Sequence, residues 1–445
     1  MWLSQGHGRL TQRAPACRKW TTFAADPAGT PARHRPLQPA EHAVNPDRAP
    51  ASVVWSLGAT QIIGYGTTFY SFAILAPDMA ASLGWSEQWV FGVLSLSLLA
   101  ASVFAPTAGR LADRLGAARV MGWGSALCAA SLALLAASPN TPWFAVALVL
   151  MQAASCLVLY STAFVAIVQA SGRQAALSIT HLTLIAGFAS TVFWPFTTWL
   201  HSHLDWRMVL CVFAALNLLI CLPLHVAIGR AEHRRRSLAA IPPEAAAEVP
   251  SEPAGLPARR RVVFLLMLLG FAAEGFVLSG VLIHMVPLTA ALGLGAAGLW
   301  ASTLFGPAQV ASRLVNMVFG GRLRQAILAT VSAVFLAVGL LTLISTTPWL
   351  PGALVFMIMF GMGSGLHSIV GGTLPLELFG RSGYGAMVGW ASSARQFASA
   401  FAPFALSTLI AGIGAQQTLF VLFASAVVGL AAFGAVAVAA RSPTR

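Results

Sequence analysis

Charge is what this chain of 445 residues most lacks: Asp, Glu, Lys and Arg make up 9% of it, against roughly 25% in a soluble protein. Hydrophobic residues make up 57% and mean hydropathy is +0.77. A water-soluble globule of this composition would have too little charge to coat its surface. Acids are scarcer still, 13 against 26 basic residues. The five cysteines, at 17, 128, 156, 211 and 221, form no C-x-x-C and no metal-ligand spacing. Four of them fall in apolar runs, where Cys behaves as a small buried hydrophobe. No metal and no cofactor is expected. Residues 1–51 are rich in Arg, Pro, Ala and His and have no apolar segment of the kind a signal peptide carries. They read as a disordered basic arm or as an over-extended translation start.

What the chain has instead is apolar runs of bilayer length, about 20 residues. Twelve are found, near 53–76, 89–108, 118–138, 142–168, 176–200, 206–228, 262–287, 297–320, 325–345, 349–373, 384–411 and 416–440. The expected fold class is therefore an all-α integral membrane protein with twelve transmembrane helices. "SPNTPW" at 138–143 and "STTPWLP" at 345–351 read as tight proline-bearing hairpins. With both termini placed in the cytoplasm, 23 of the 26 basic residues fall in the arm, the inner loops and the tail. That partition obeys the positive-inside rule, and it accounts for the net charge of +13 without a nucleic-acid partner, because no single surface gathers the bases. The three exceptions are Arg207, at the outer start of the sixth run, and Arg313 and Arg395, which lie inside the eighth and eleventh.

The stretch 229–261 is polar and rich in Pro and Ala, and it reads as a flexible cytoplasmic linker between two six-helix bundles, 52–228 and 262–440. The bundles look like copies. "PDMAASLG" from Pro77 pairs with "PLTAALG" from Pro287, Gly109-Arg110-Leu111 with Gly321-Arg322-Leu323, Gly172-Arg173 with Gly380-Arg381, and "FASTVFWPF" from Phe188 with "FASAFAPF" from Phe397. All four pairs are offset by 208 to 212 residues. Four landmarks in order at one offset make a duplication, and two parallel halves joined by a long linker suit one class of secondary transporter.

The loop "GRLADRLGAAR" resembles the cytoplasmic loop motif of the major facilitator superfamily, G-x-x-x-D-R/K-x-G-x-x-R/K. Gly109, Asp113, Arg114, Gly116 and Arg119 all match it, in the expected place between the second and third helices. The resemblance covers about residues 52–440. It implies that this loop locks the cytoplasmic side, with the Asp113 carboxylate facing the positive N-terminus of the eleventh helix. The second copy of the loop has lost the acid. The arginine that the family associates with proton antiport in the fourth helix is also absent. Gln152 is the nearest polar counterpart, which argues against a simple drug/proton antiporter.

Depth and phase select the candidate site. Arg313 stands nine residues before Arg322, about 13 Å into the membrane at 1.5 Å per residue, and Arg395 is about 16 Å deep by the same rise. A charge at that depth costs several kcal/mol unless it faces a cavity or a partner. Ser302, Gln309, Arg313 and Asn316 share a stripe of the eighth helix; Ser392, Arg395, Gln396 and Ser399 cluster on the eleventh; Gln61, Tyr65 and Thr68 share a face of the first. Substrate-binding candidates are Arg313, Arg395, Gln61, Tyr65, Gln309, Gln396 and Gln152, with Tyr70 a further phenol in reach. The two basic residues resemble those of the oxalate–formate and monocarboxylate branch of the superfamily, with Arg in place of Lys on the eleventh helix.

Glu274, the one acid in the middle of a run, reads as a proton-coupling site, a salt-bridge partner of Arg313, or a packing residue. Glu377 and Arg381 read as a gate or as a plain surface pair at i, i+4. His181, His284 and His367 read as structural, and Pro195, Pro307 and Pro403 as kink and packing devices. No nucleophile–base set lies at mid-depth, so no enzyme is expected. The expectation is a monomeric, multi-pass protein of a bacterial inner membrane, with the lipid bilayer and a small anionic molecule as partners. It would move that anion by alternating access, with proton coupling or exchange. An efflux pump for a drug, metabolite or metalloid is the alternative, and a non-transporting receptor on the same fold a lesser one.

Overall fold

The computed structural model describes residues 49–172, 174–238, 257–320 and 323–440. Every regular element among them is helical, and they form twelve runs. These are α1 (Ala51–Tyr65, Gly66–Tyr70 and Phe72–Leu83), α2 (Glu87–Leu115), α3 (Ala117–Ala136), α4 (Thr141–Ser155 and Tyr160–Ala170), α5 (Ala175–Ala186 and Ala189–His201) and α6 (Trp206–Leu216, Asn217–Cys221 and Leu222–Leu238) in the N half. The C half holds α7 (Ala258–Ala291), α8 (Gly295–Ser302 and Phe305–Phe319), α9 (Gln325–Thr346), α10 (Leu350–Phe379), α11 (Tyr384–Ile413) and α12 (Ala415–Ala439). Ten runs are long and apolar enough to cross a membrane as single spans, and α1 and α8 are the two not among them.

The helices stop where the backbone requires it. α2 and α3 are joined by Gly116 alone and α11 and α12 by Gly414 alone, at φ +88° and +89°. Only a residue without Cβ takes that conformation at no steric cost. The hairpin at 138–143 is fixed by Asn140, whose side chain accepts from Trp143 N at 3.1 Å. Arg207 reaches across to donate to the carbonyls of Ala136 and Ser138 at 2.6 and 2.8 Å. That is the place of the one basic residue assigned to an outer loop end: it caps the C-terminus of α3.

The interruptions also have local causes. Pro307 has no N–H for Thr303 and its ring crowds that carbonyl; α8 breaks at Thr303 and Leu304. In α4, the turn at 156–159 leaves carbonyls that side chains take up: Thr162 donates to Cys156 O at 2.8 Å and Gln61 to Val158 O at 2.7 Å. The π-helical stretches of α1 and α6 meet where Asn217 donates to Thr67 Oγ1 at 3.0 Å. Membrane helices tolerate such breaks because neighbours satisfy the freed groups.

The stretch expected as a flexible linker from 229 to 261 is narrower in the structure. α6 continues to Leu238 and α7 begins at Ala258, so the polar residues 229–238 are helical. The expected arm, 1–51, lies outside the described residues up to position 48, and α1 starts at Ala51.

Among the described residues the halves meet at the end that carries the 109–119 loop. There α2 lies along α11, and the nearer pieces of α4 and α5 meet α8, α10 and α11. The α2–α11 crossing is so close that a Cβ on Gly109 would sit 2.0 Å from Gly385 O, and one on Gly389 2.7 Å from Ala105 O. Small residues at such crossings let backbones approach, which is how helices associate in lipid.

Candidate functional site

Between the halves, tyrosines of the N half face arginines of the C half. Three of the chain's four tyrosines stand together: the Tyr65 ring lies 4.8 Å from Tyr160 and 6.3 Å from Tyr70. Tyr160 stacks on Phe164 at 5.1 Å and Tyr70 meets Trp194 edge-on at 6.4 Å. Arg395 acts electrostatically on Tyr65, Tyr160 and Cys156, and Arg313 on Tyr70 and Tyr160. The two charges singled out in the apolar runs are thus brought to one aromatic wall.

They are held differently. Arg313 is buried, 4% exposed, and its Nη1 donates across the interface to Thr183 O on α5 at 2.9 Å. Its Nε makes a long contact, 3.5 Å, to Gly365 O on α10. It fits because Gly187 has no side chain; a Cβ there would stand 2.2 Å from Nη1. Arg395 is half-buried, and among the described residues it has neither a hydrogen bond nor an ion pair. So of the two arginines one is tied across the halves, and the other has no such tie among the described residues.

The amides also divide. Gln61 is fully buried and its Nε2 serves the α4 turn, as above, so it braces the break in α4. Gln152, buried, makes a long bond to Thr68 O at 3.4 Å, and Gln309 donates to Ser364 Oγ at 2.9 Å. Gln396, next to Arg395, keeps a buried Oε1 without a hydrogen-bond partner.

Where the halves meet, the 109–119 loop lies across the join in the place a latch would take. Asp113 accepts from Gly385 N and Ala386 N, both at 2.9 Å, so its carboxylate caps the N-terminus of α11, where the helix dipole favours negative charge. Gly116 makes the turn, and Arg114 and Arg119 are exposed. Glu377 and Arg381 do not pair, which corrects the i, i+4 reading. Glu377 faces Arg324 at 3.8 Å and accepts from Gln325 N. Arg381 crosses to the N half and donates to Gly172 O at 2.8 Å and to the carbonyls of Val168 and Ser171. It thus caps the C-terminus of α4, which calls for a cation.

The family profile of the Major Facilitator Superfamily matches residues 57–403. The chain belongs to that superfamily. Its members are transporters and not enzymes, and this chain is accordingly a multi-pass membrane transporter with a small-molecule substrate. No curated protein matches it. Among solved structures, the proton:xylose symporter XylE is similar at 14% identity, with 85% of this chain and 95% of that one covered and a TM-score of 0.63. The human organic anion transporter MFSD10 (TETRAN) is similar at 15%, covering 86% and 99%, at 0.61. FucP in the outward conformation is similar at 13%, covering 88% and 100%, at 0.63. At these identities the likeness concerns the fold.

Among the described residues Glu274 has no hydrogen bond or ion pair with either arginine. It is 1% exposed inside the C half, where it hydrogen-bonds His367 Nδ1 on α10 and accepts a long bond from Ser332 on α9 at 3.4 Å. This corrects the pairing expected with Arg313, and it gives His367 a buried acidic partner. Neither residue's type announced the other, since 93 positions separate them. The one signal available was that each is a titratable side chain in an apolar run.

Proposed function

We propose that this transporter moves a small organic or inorganic anion, carboxylate-like, by alternating access. The observation that carries the reading is Arg395, a half-buried guanidinium with no hydrogen bond or ion pair among the described residues, near the tyrosines of the N half. Arg presents a planar fork that matches a carboxylate, and charge-assisted bonds of that kind are the strong ones. Tyr65 and Tyr160 supply hydroxyl donors on the opposite wall, and Gln396 an amide beside the fork. That one structural neighbour is named an organic anion transporter, and another a proton:xylose symporter, agrees with a fold open to both cargo classes. The closed loop side corresponds to an outward-facing carrier if the basic loops lie in the cytoplasm of a bacterial inner membrane.

A thermal-shift screen of the purified protein against carboxylates, inorganic oxyanions and apolar drugs tests the cargo, because a ligand of the folded state raises Tm by mass action. Stabilisation by carboxylates or oxyanions is expected. Stabilisation by apolar drugs alone would replace the anion reading with efflux.

The orientation carries its own expected result. Reporter fusions at Asn140, Ala296 and Ala415 should read as external and one at Ala246 as cytoplasmic. The reverse reading at Ala246 would invert the sidedness.

A further inference from the structure

We infer that Asn217 of α6 and Thr197 of α5 are positioning residues of the anion site: from inside the N half they hold the π-turn of α1 that sets Tyr65 and Tyr70 side by side. The inference rests on the anion reading for what the phenols do, while the positioning stands on the geometry of α1.

Tyr65 and Tyr70 are five residues apart. An α-helix turns about 100° per residue, so five residues would set the two side chains roughly 140° apart. In this chain Gly66–Tyr70 is a π-turn, closed by Ser71 N donating at 3.1 Å to Gly66 O, five residues back. The wider turn brings the fifth residue round almost above the first, and the two rings lie 6.3 Å apart. Each phenol then has an arginine of its own: Arg395 acts electrostatically on Tyr65, and Arg313 on Tyr70. π-turns are rare, and they gather at functional sites.

The architecture does not require this turn. The first helix of the C half, α7, is α-helical throughout, from Ala258 to Ala291. The other π-turn among the described residues is Asn217–Cys221 in α6, and the last helix of the C half, α12, is α-helical from Ala415 to Ala439. Both wide turns thus lie in the half that carries Tyr65 and Tyr70, and one side chain joins them.

The α register is the default, so the wide one must be held, and the donors that hold it can be counted. Asn217 Nδ2 has two protons. One goes to Phe213 O on its own helix at 2.9 Å, the other to Thr67 Oγ1 at 3.0 Å. The Thr67 hydroxyl, accepting there, donates to Ile63 O at 2.8 Å. Ser71 has one hydroxyl proton and gives it to Gly66 O at 2.7 Å. The 2.6 Å contact between Ser71 Oγ and Thr197 Oγ1 is therefore a donation by Thr197. All four side chains are buried, where a polar group left unpaired is costly. Gly66 completes the arrangement: a Cβ on it would stand 2.1 Å from the ring of Phe193, which packs on the turn from α5. Every one of these bonds lies within the N half, so they reach the site through α1.

The test uses the full chain in lipid nanodiscs, with its four tyrosines replaced biosynthetically by 3-fluorotyrosine. Single Tyr→Phe changes assign the fluorine resonances. Asn217→Leu removes both donors at similar volume, and Thr197→Val removes the hydroxyl at constant shape. Each should move the resonances of Tyr65 and Tyr70 and leave that of Tyr384, at the start of α11, in place. Thr197→Ser, which keeps the hydroxyl, should restore the wild-type spectrum. The second arm uses formate, lactate and benzoate as probes. For a probe that the wild type binds, Asn217→Leu and Thr197→Val should each weaken binding by roughly 10- to 150-fold, the worth of a hydrogen bond to a charged group. In a chain that already carries Tyr65→Phe and Tyr70→Phe they should add little, because the groups they position are gone. If no probe binds, the anion reading fails while the fluorine spectrum still decides the positioning. Unmoved Tyr65 and Tyr70 resonances in the folded variants would overturn the proposal. So would shifts that include Tyr384, which mark a general loosening, and so would unchanged affinity or a loss that adds in full to that of the phenols.

Discussion

Arg395→Gln is expected to abolish anion binding and transport in a protein that still folds. The guanidinium holds no structural bond among the described residues, so its removal leaves no donor or acceptor of the protein stranded. Its loss is felt by the ligand, whose charge would then sit in a half-buried site opposite phenols and an amide. Losing one member of a buried, hydrogen-bonded charge pair costs about 2–5 kcal/mol, which is roughly a 30-fold to few-thousand-fold loss of affinity. Arg395→Lys keeps the charge but not the fork, and partial activity is expected.

Arg313→Gln serves as the contrast. That side chain already donates to Thr183 and Gly365, and Gly187→Ala would push it off the first of these. Both changes should leave equilibrium binding within about tenfold, or 1.4 kcal/mol, while slowing exchange, because the bond they remove joins the halves. Calorimetric titration of the three variants with a stabilising carboxylate separates the roles. Unchanged affinity in Arg395→Gln would end the anion reading.

The contrast between the arginines also shows what a sequence carries. That both charges were candidates was legible, because a charge in an apolar run must have a reason. That one is tied and the other is not could not be read, since the acceptor of Arg313 is a main-chain carbonyl, Thr183 O, 130 positions away and beside a helix break. Carbonyls have no letter in the sequence. The same blindness misread Arg381: four residues from Glu377 it looks like half of a surface pair, while its acceptors are three carbonyls of the other half. Glu274 was visible as an acid, but its pairing with His367 depends on the rotation of α7 against α10, and twelve apolar helices without amphipathic contrast do not disclose their phases. Asp113 was fully legible because its loop carries a motif, and the motif names its neighbour. The twelve runs were legible for the simpler reason that lipid demands length and apolarity. Their ends were less so, and α6 runs on through arginines where a linker was expected.

The latch yields the second large effect. Asp113 gives an acid of the N half to the N-terminus of a C-half helix, and Arg381 gives a base of the C half to the C-terminus of an N-half helix. Each half thus caps the other, and both caps exist only while this side is closed. Hydrogen bonds to charged groups are worth about 1.5–3 kcal/mol, so Asp113→Asn should shift the balance of states toward opening here by roughly 10- to 150-fold. Arg381→Gln should act in the same direction but less, since its guanidinium is exposed and screened. Anion binding should survive both changes, because Arg395 lies ten residues along α11 from Gly385, about 15 Å away. Transport should fall sharply in both. The populations can be read from spin labels at Arg119 and Leu323, one in each half, with Cys17 and Cys211 replaced. The wild type should give mainly one short distance, and Asp113→Asn a large added fraction at longer distance. An unchanged distance distribution alongside lost transport would mean that Asp113 acts on something other than closure. Equal loss of binding and transport would place it in the anion site, against the distance that α11 sets between them.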